Sequence, residues 1–177
     1  MVEEVNTARQ PARMVWGAIW MTPGGRAGRS PLVIMTCNSS AQRNGYTAWS
    51  YVQALEEGLQ DQYRAGELFM QDNAPIHAAK LSQEWLEAHG VATITWPPYS
   101  PDLNPIEHLW WALKKKLHEL YPEFDYMGDS QDEWDRFEMG LVEAWAAIPD
   151  SLICRLIRSM PQRLDAMRQA RGYQTKY

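Results

Sequence analysis

Cysteine is scarce: Cys37 and Cys154 are the only two in 177 residues. A disulfide-stapled scaffold is excluded, and a reducing compartment is expected. No apolar run approaches the roughly 18 residues of a membrane span, so no membrane partner is expected. No Gly-rich phosphate loop of nucleotide-binding type occurs, so no nucleotide cofactor is expected. The opening Met1-Val2-Glu3-Glu4-Val5-Asn6 is acidic and polar and does not read as a secretory signal or presequence. Aspartate is missing from the whole opening third of the chain; the first is Asp61. Excess basic charge is missing too. The net charge of −5 argues against a general nucleic-acid coat, but not against a protein that holds DNA locally around metal ions.

What is present fits one globular domain, with 45% hydrophobic residues and enough length to bury a core without staples. The charge is unevenly spread. Between Glu123 and Asp150, Arg136 stands alone among nine acids. The Lys114-Lys115-Lys116 run and the tail, with Arg155, Arg158, Arg163, Arg168, Arg171 and Lys176 against Asp165, are basic. Each block reads as a solvated face or, for the two basic ones, as a contact to phosphates.

Met14 to Trp20 is a short run of strand formers that stops at the turn signal Thr22-Pro23-Gly24-Gly25. Pro31-Leu32-Val33-Ile34-Met35 reads as its antiparallel partner across a long basic loop. From Thr47 to Leu59 the period becomes helical, with Trp49, Val52, Leu55 and Leu59 on one face. Glu67 to Gln71 reads as a buried strand. Ala78 to His89 reads as a helix with Leu81, Trp85 and Leu86 inward, stopped by Gly90. Val91 to Trp96 is the next strand, and the order strand, helix, strand predicts a parallel crossover. A helix after Pro105 places Ile106, Leu109, Trp110, Leu113, Leu117 and Leu120 on one stripe, with Asn104 as cap. Residues 121–135 read as an irregular acidic connection. A last helical region from about Asp135 to Ala170 is divided by Pro149 and Pro161, with Ser151 as a cap. The fold class is α/β, a mixed sheet flanked by helices.

Two carboxylates stand out by position. Asp72 follows a buried strand, and Glu107 lies in the first turn of a helix after a proline-rich loop. Ligands gather at the C-terminal ends of strands in open α/β sheets. Two acids converging there on rigid elements suit hard divalent cations such as Mg2+ or Mn2+, which support phosphoryl transfer in pairs. Each acid also has a plain structural reading: Glu107 three residues after Asn104 completes a capping box, and Asp72 before Asn73 is turn chemistry. His77 is placed at the start of a helix or against DNA rather than in a zinc site. His108 and Asp102 read as surface or turn residues. Trp85, Trp110 and Trp145 fall on helical stripes and read as core rather than as base-stacking platforms.

Gln71-Asp72-Asn73-Ala74-Pro75-Ile76-His77 and Pro97-Pro98-Tyr99-Ser100-Pro101-Asp102-Leu103-Asn104-Pro105-Ile106-Glu107-His108 resemble the two hallmark blocks of the Tc/mariner superfamily of cut-and-paste DNA transposases. The 34 residues between Asp72 and Glu107 match that family's spacing. Val15-Trp16-Gly17-Ala18-Ile19 resembles its second strand, and Tyr173-Gln174-Thr175-Lys176-Tyr177 resembles the end of fungal members. The resemblance implies a ribonuclease-H-like fold. Residues 1–121 would form the catalytic domain, and residues 122–177 an acidic connection and C-terminal helices packed on it. It implies Asp72 and Glu107 as the second aspartate and the closing glutamate of a two-metal aspartate, aspartate, glutamate triad, with Mg2+ or Mn2+ as cofactor. It also implies transposon ends and target DNA as partners, a homodimer or pairing with intact transposase, and nuclear localisation, or cytoplasmic for a non-functional remnant.

The family's first aspartate, on an opening strand upstream of the Trp-Gly segment, has no counterpart in this sequence. Only Glu3 and Glu4 are carboxylates there, in polar surroundings. The expectation is a catalytic domain incomplete at its N-terminal side, inactive by itself, lacking the first central strand and leaving a sheet edge open to another chain. Two functions fit: a DNA strand-cleaving and strand-joining domain, or a non-catalytic remnant that binds nucleic acid or intact transposase.

Overall fold

The computed structural model describes residues 13–38, 45–97, 100 and 103–170. Glu3, Glu4, Asp102 and the Tyr173–Tyr177 stretch lie outside the described residues.

Strand β1 (Val15–Trp16) pairs antiparallel with β4 (Val33–Ile34), Val15 opposite Ile34 and Trp16 opposite Val33. The single strand expected over 14–20 is split into β1 and β2 (Ile19–Met21), and the long loop expected after it carries β3 (Ala27–Arg29), which pairs with β2 as a hairpin. Ala27-Gly28-Arg29 lacks the apolar alternation that marks a strand, so it escaped the sequence pattern. The hairpin turn closes through Thr22 N–H to the Arg26 carbonyl at 2.9 Å and Gly25 N–H to the Thr22 carbonyl at 2.8 Å. Gly25 takes φ 75°, a conformation open to glycine. The ribbon kinks at Ser30, whose N–H donates to the Ala18 carbonyl at 2.9 Å while its Oγ accepts from Ala18 N–H at 2.8 Å.

Helix α1 (Ala48–Gly58) follows, then a strand-like segment at Phe69 that bridges in parallel to Thr93. The chain between them forms α2 (Pro75–Ala78) and α3 (Lys80–Ala88), so the expected parallel crossover is present. The expected single helix over 78–89 is broken at Ala79, whose ψ of 145° is extended. Gly90, at φ 65°, ends α3 as its position suggested. Helix α4 (Ile106–Leu120), a 3-10 turn (Pro122–Tyr126), α5 (Gln131–Ala146), α6 (Asp150–Arg158) and α7 (Met160–Gln169) complete the described chain. The connection read as irregular thus contains a 3-10 turn and the start of α5. Ser130 caps α5 in a reciprocal box with Glu133. Ser151 is not a cap, because α6 starts one residue earlier, behind Pro149.

Two apolar clusters sandwich the strand ribbon. Trp16, Val33 and Met35 face one cluster with Leu55 of α1 and Trp85 and Leu86 of α3. Val15 and Ile34 face the other, with Leu109 and Leu113 of α4, Phe137 and Trp145 of α5, and Ile153 of α6. Adjacent strand residues point to opposite faces, which is why one short ribbon serves two cores. Three residues placed inward by periodicity are exposed instead: Trp49 at 42%, Leu81 at 46% and Leu120 at 46%. Each sits at the end of its stripe, where no other element covers it. Among the described residues, no helix is long and apolar enough to cross a membrane.

Candidate metal centre

The Phe69 segment is fixed by two ladder bonds, Phe69 N–H to the Ala92 carbonyl at 2.7 Å and Ile94 N–H to the Phe69 carbonyl at 3.2 Å. Asp72 emerges where this segment ends. Asn73 Nδ2 donates to the Trp96 carbonyl at 2.8 Å and ties the turn to the neighbouring strand end. Asp72 Oδ1 accepts from Ala74 N–H at 3.0 Å and from His77 Nδ1 at 2.6 Å. The turn reading of this residue is realised in these bonds. One oxygen is held by the turn and by α2, and half of the side chain stays exposed.

His77 is seated in turn. Its ring packs on Tyr51 with centroids 4.3 Å apart, and the Tyr51 hydroxyl hydrogen-bonds Gln71 Oε1. Burial, reinforced by the charge of Asp72, pushes the Tyr51 hydroxyl far above its ordinary range, so it stays a neutral donor. Sequence reading missed this support. The signal available was Gln71 and His77 flanking Asp72, but the role depends on α1 lying beneath them.

Glu107 comes from the first turn of α4. Asn104 is nearly buried, and its Oδ1 accepts from Ile106 N–H at 3.3 Å. Pro105 occupies the cap position, one residue later than expected, and α4 carries no capping box to engage Glu107. Desolvation pushes the Glu107 carboxyl above its usual range, the charge of Asp72 pushes it further, and Lys114 partly offsets both. His108, beside it on α4, is exposed. Desolvation and the charge of Arg163 hold its pKa down.

Asp72 and Glu107 line one cleft of about 390 Å³. Its walls include Val15 and Gly17 of the ribbon on one side and Leu68 and Met70 on the other. Phe69 gives both its backbone groups to the Thr93 strand, so those of Leu68 and Met70 point the opposite way, toward the cleft. Met14 and Ala18 bond toward β4 and Ser30, which turns the backbone of Val15 and Gly17 to the cleft as well. Two strand edges thus face each other across it. The fit to a divalent cation rests on its donors: two carboxylates whose charges oppose each other, with no lysine or arginine in the lining. Among the described residues no three His, Cys, Asp or Glu side chains assemble as a metal cage.

Residues 13–127 match the DDE superfamily endonuclease family. The chain is 40% identical over 112 residues to the transposable element Tc1 transposase of Caenorhabditis elegans, covering 63% of this chain and 38% of that protein. It is 28% identical over 164 residues to the Tc3 transposase of the same organism, covering 93% of this chain and 45% of that protein. The chain therefore spans less than half the length of the curated relatives it matches. Among solved structures it resembles the Mos1 transposase catalytic domain determined with raltegravir and Mg. That likeness has a TM-score of 0.55 at 19% identity, over 92% of this chain and 84% of that one. It also resembles the Mos1 strand transfer complex, at a TM-score of 0.59 and 22% identity, over 99% of this chain and 50% of that one. The fold is ribonuclease-H-like, and the chain belongs to the DDE superfamily endonucleases, as a Tc/mariner-type transposase domain.

Proposed function

We propose that this chain is the catalytic-domain portion of a DNA transposase, in which Asp72 and Glu107 hold divalent Mg2+ or Mn2+ for phosphodiester cleavage and strand transfer. One observation carries the reading. Two carboxylates with 34 residues between them in sequence line the same cleft, and the charge of Asp72 adds to the desolvation that raises the Glu107 carboxyl. Carboxylates kept in such mutual repulsion are compensated by a divalent cation. When bound, a pair of such ions activates an attacking oxygen and stabilises a leaving one.

The chain's own residues supply position. Ala74 N–H and His77 fix one oxygen of Asp72, a residue that lines the cleft. Helix α4 carries Glu107 on a rigid element. Tyr51, kept neutral, braces His77 and Gln71 from below. The proposed substrates are transposon ends and target DNA, handled in the nucleus by paired copies of the protein.

A second reading, a non-catalytic module that binds nucleic acid or pairs with intact transposase, is favoured by the same cleft. Glu67 also lines the cleft, but among the described residues no three acids, histidines or cysteines are grouped to hold a metal, and two strand edges face each other across the cleft, as if for an incoming strand.

Calorimetry with Mn2+ tests the site. Heats present in the wild type and absent in the Asp72→Asn, Glu107→Gln double variant support it, and equal heats remove it. Nicking of supercoiled DNA with Mn2+ separates the two readings. Absent or very weak nicking fits the non-catalytic module, and robust nicking abolished by Asp72→Ala establishes the enzyme.

A further inference from the structure

The carboxylate cleft is a poor place to grip DNA. Its lining includes Glu67, Asp72 and Glu107 and neither lysine nor arginine, so it repels phosphate. A polyanionic substrate needs its anchor elsewhere. Helix α6 offers one. Ile157 lines the cleft, while Arg155 and Arg158, together with Ser151, Cys154 and Gln162, line a separate open groove of about 510 Å³. These positions recur at helical spacing and form a single stripe.

The groove holds donors and no carboxylate. Among the described residues no ion pair engages Arg155 or Arg158, whereas Arg29 is paired with Asp150, Arg136 with Glu123 and Arg168 with Asp165. The Arg158 guanidinium lies against the β2–β3 turn, with Nη2 3.7 Å from where a Cβ on Gly25 would stand. Arg26, exposed, belongs to that same turn. Two uncommitted guanidiniums on one stripe, with a third basic residue beside them, match the spaced charges of a nucleic-acid backbone.

We propose that the outer face of α6 and the start of α7, with the β2–β3 turn, is a docking surface for the phosphate backbone of duplex DNA, gripped by Arg155 and Arg158. The proposal rests on the DNA-processing reading above and adds the surface that delivers the strand. An acidic protein segment is the less favoured occupant, because the groove and the carboxylate cleft lie on two sides of one helix. A helix is about 10 Å across, roughly three 3.4 Å base steps of a duplex. A backbone seated on the arginines therefore continues to the cleft mouth.

The test is binding of a short labelled duplex by fluorescence anisotropy through a salt titration, using the full chain. Arg155→Ala with Arg158→Ala is expected to lower the slope of log K against log salt by about 1.8, two phosphate contacts' worth, and to weaken binding about tenfold at moderate salt. Arg155→Lys with Arg158→Lys should keep the slope, which separates charge from folding. Arg168→Ala, removing an arginine already paired, should also keep it. Wild-type binding with an unchanged slope in the double alanine variant overturns the docking surface and leaves the DNA reading intact. No duplex binding by the wild type overturns both. Loss of polyglutamate binding in the double alanine variant, with duplex binding unaffected, overturns the proposal in favour of a protein partner.

Discussion

His77 Nδ1 donates to Asp72 Oδ1 across 2.6 Å, and the same oxygen also accepts from Ala74 N–H. The exposed carboxylate is therefore held in one rotamer by a side chain that is itself largely covered. Partners of this kind orient metal-binding groups, and losing one typically weakens metal affinity 10- to 100-fold. His77→Ala is expected to weaken Mn2+ binding about tenfold by calorimetry, with the circular dichroism spectrum unchanged. Unchanged affinity would show that Asp72 needs no such brace.

Helix α1 is pressed onto β1 at Gly58. A Cβ there would lie 2.3 Å from Trp16 Cζ3 and 2.7 Å from Cε3. Gly58→Ala gains about 1 kcal/mol of helix propensity but forces Trp16 out of a packed site, at about 1–3 kcal/mol. Trp16 also lines the cleft, so its displacement reaches the site. The expected result is a lower urea midpoint with an unchanged m value. A more stable variant would contradict the close packing.

The helices were largely legible because apolar residues at 3.6-residue spacing need a covering surface, and α1, α3 and α4 find one. Periodicity does not say where the cover stops, so Trp49, Leu81 and Leu120 were placed inside and are exposed. The β2–β3 hairpin was hidden because its second strand is Ala27-Gly28-Arg29, paired through backbone with little side-chain pattern. At the proposed site, Asp72 and Glu107 stand out through two dense motifs, and both line one cleft. The His77 brace was not legible, because it depends on the 4.3 Å approach of a ring from α1. The basic stripe on α6 was visible only as net charge. Its division from the cleft-facing side of the same helix is a three-dimensional fact.

Trp145 of α5 is buried against the ribbon, and its Nε1–H donates to the Ser30 carbonyl at 2.9 Å. Arg29 reaches the Trp145 carbonyl at 2.7 Å from the other side. The C-terminal helices and the strands therefore share one core. Trp145→Phe keeps most of the apolar contact but leaves a buried carbonyl without its donor, expected to cost about 1–3 kcal/mol. Trp145→Ala is expected to cost about 3–5 kcal/mol. Truncation after Tyr121 uncovers Leu109 and Leu113 and should yield a chain that is cleaved rapidly in limited proteolysis. A protease-resistant 1–121 fragment would mean that the strands and α4 fold without the helices.

Glu107 gives the site a pH signature. Its carboxyl is raised by desolvation and by the charge of Asp72. A carboxyl with a raised folded pKa keeps its proton longer in the folded state than in the unfolded one. Stability therefore falls as pH rises from the unfolded value, about 4.3, through the raised folded one, and stays lower above it. Glu107→Gln removes the ionisation, so its Tm should exceed that of the wild type at neutral pH. The two should converge below about pH 4. Mn2+ at neutral pH should raise the wild-type Tm by binding the folded state and leave Glu107→Gln with a much smaller rise. A Tm difference independent of pH would show that the two carboxylates do not interact, and an equal Mn2+ response in both proteins would take Glu107 out of the metal site.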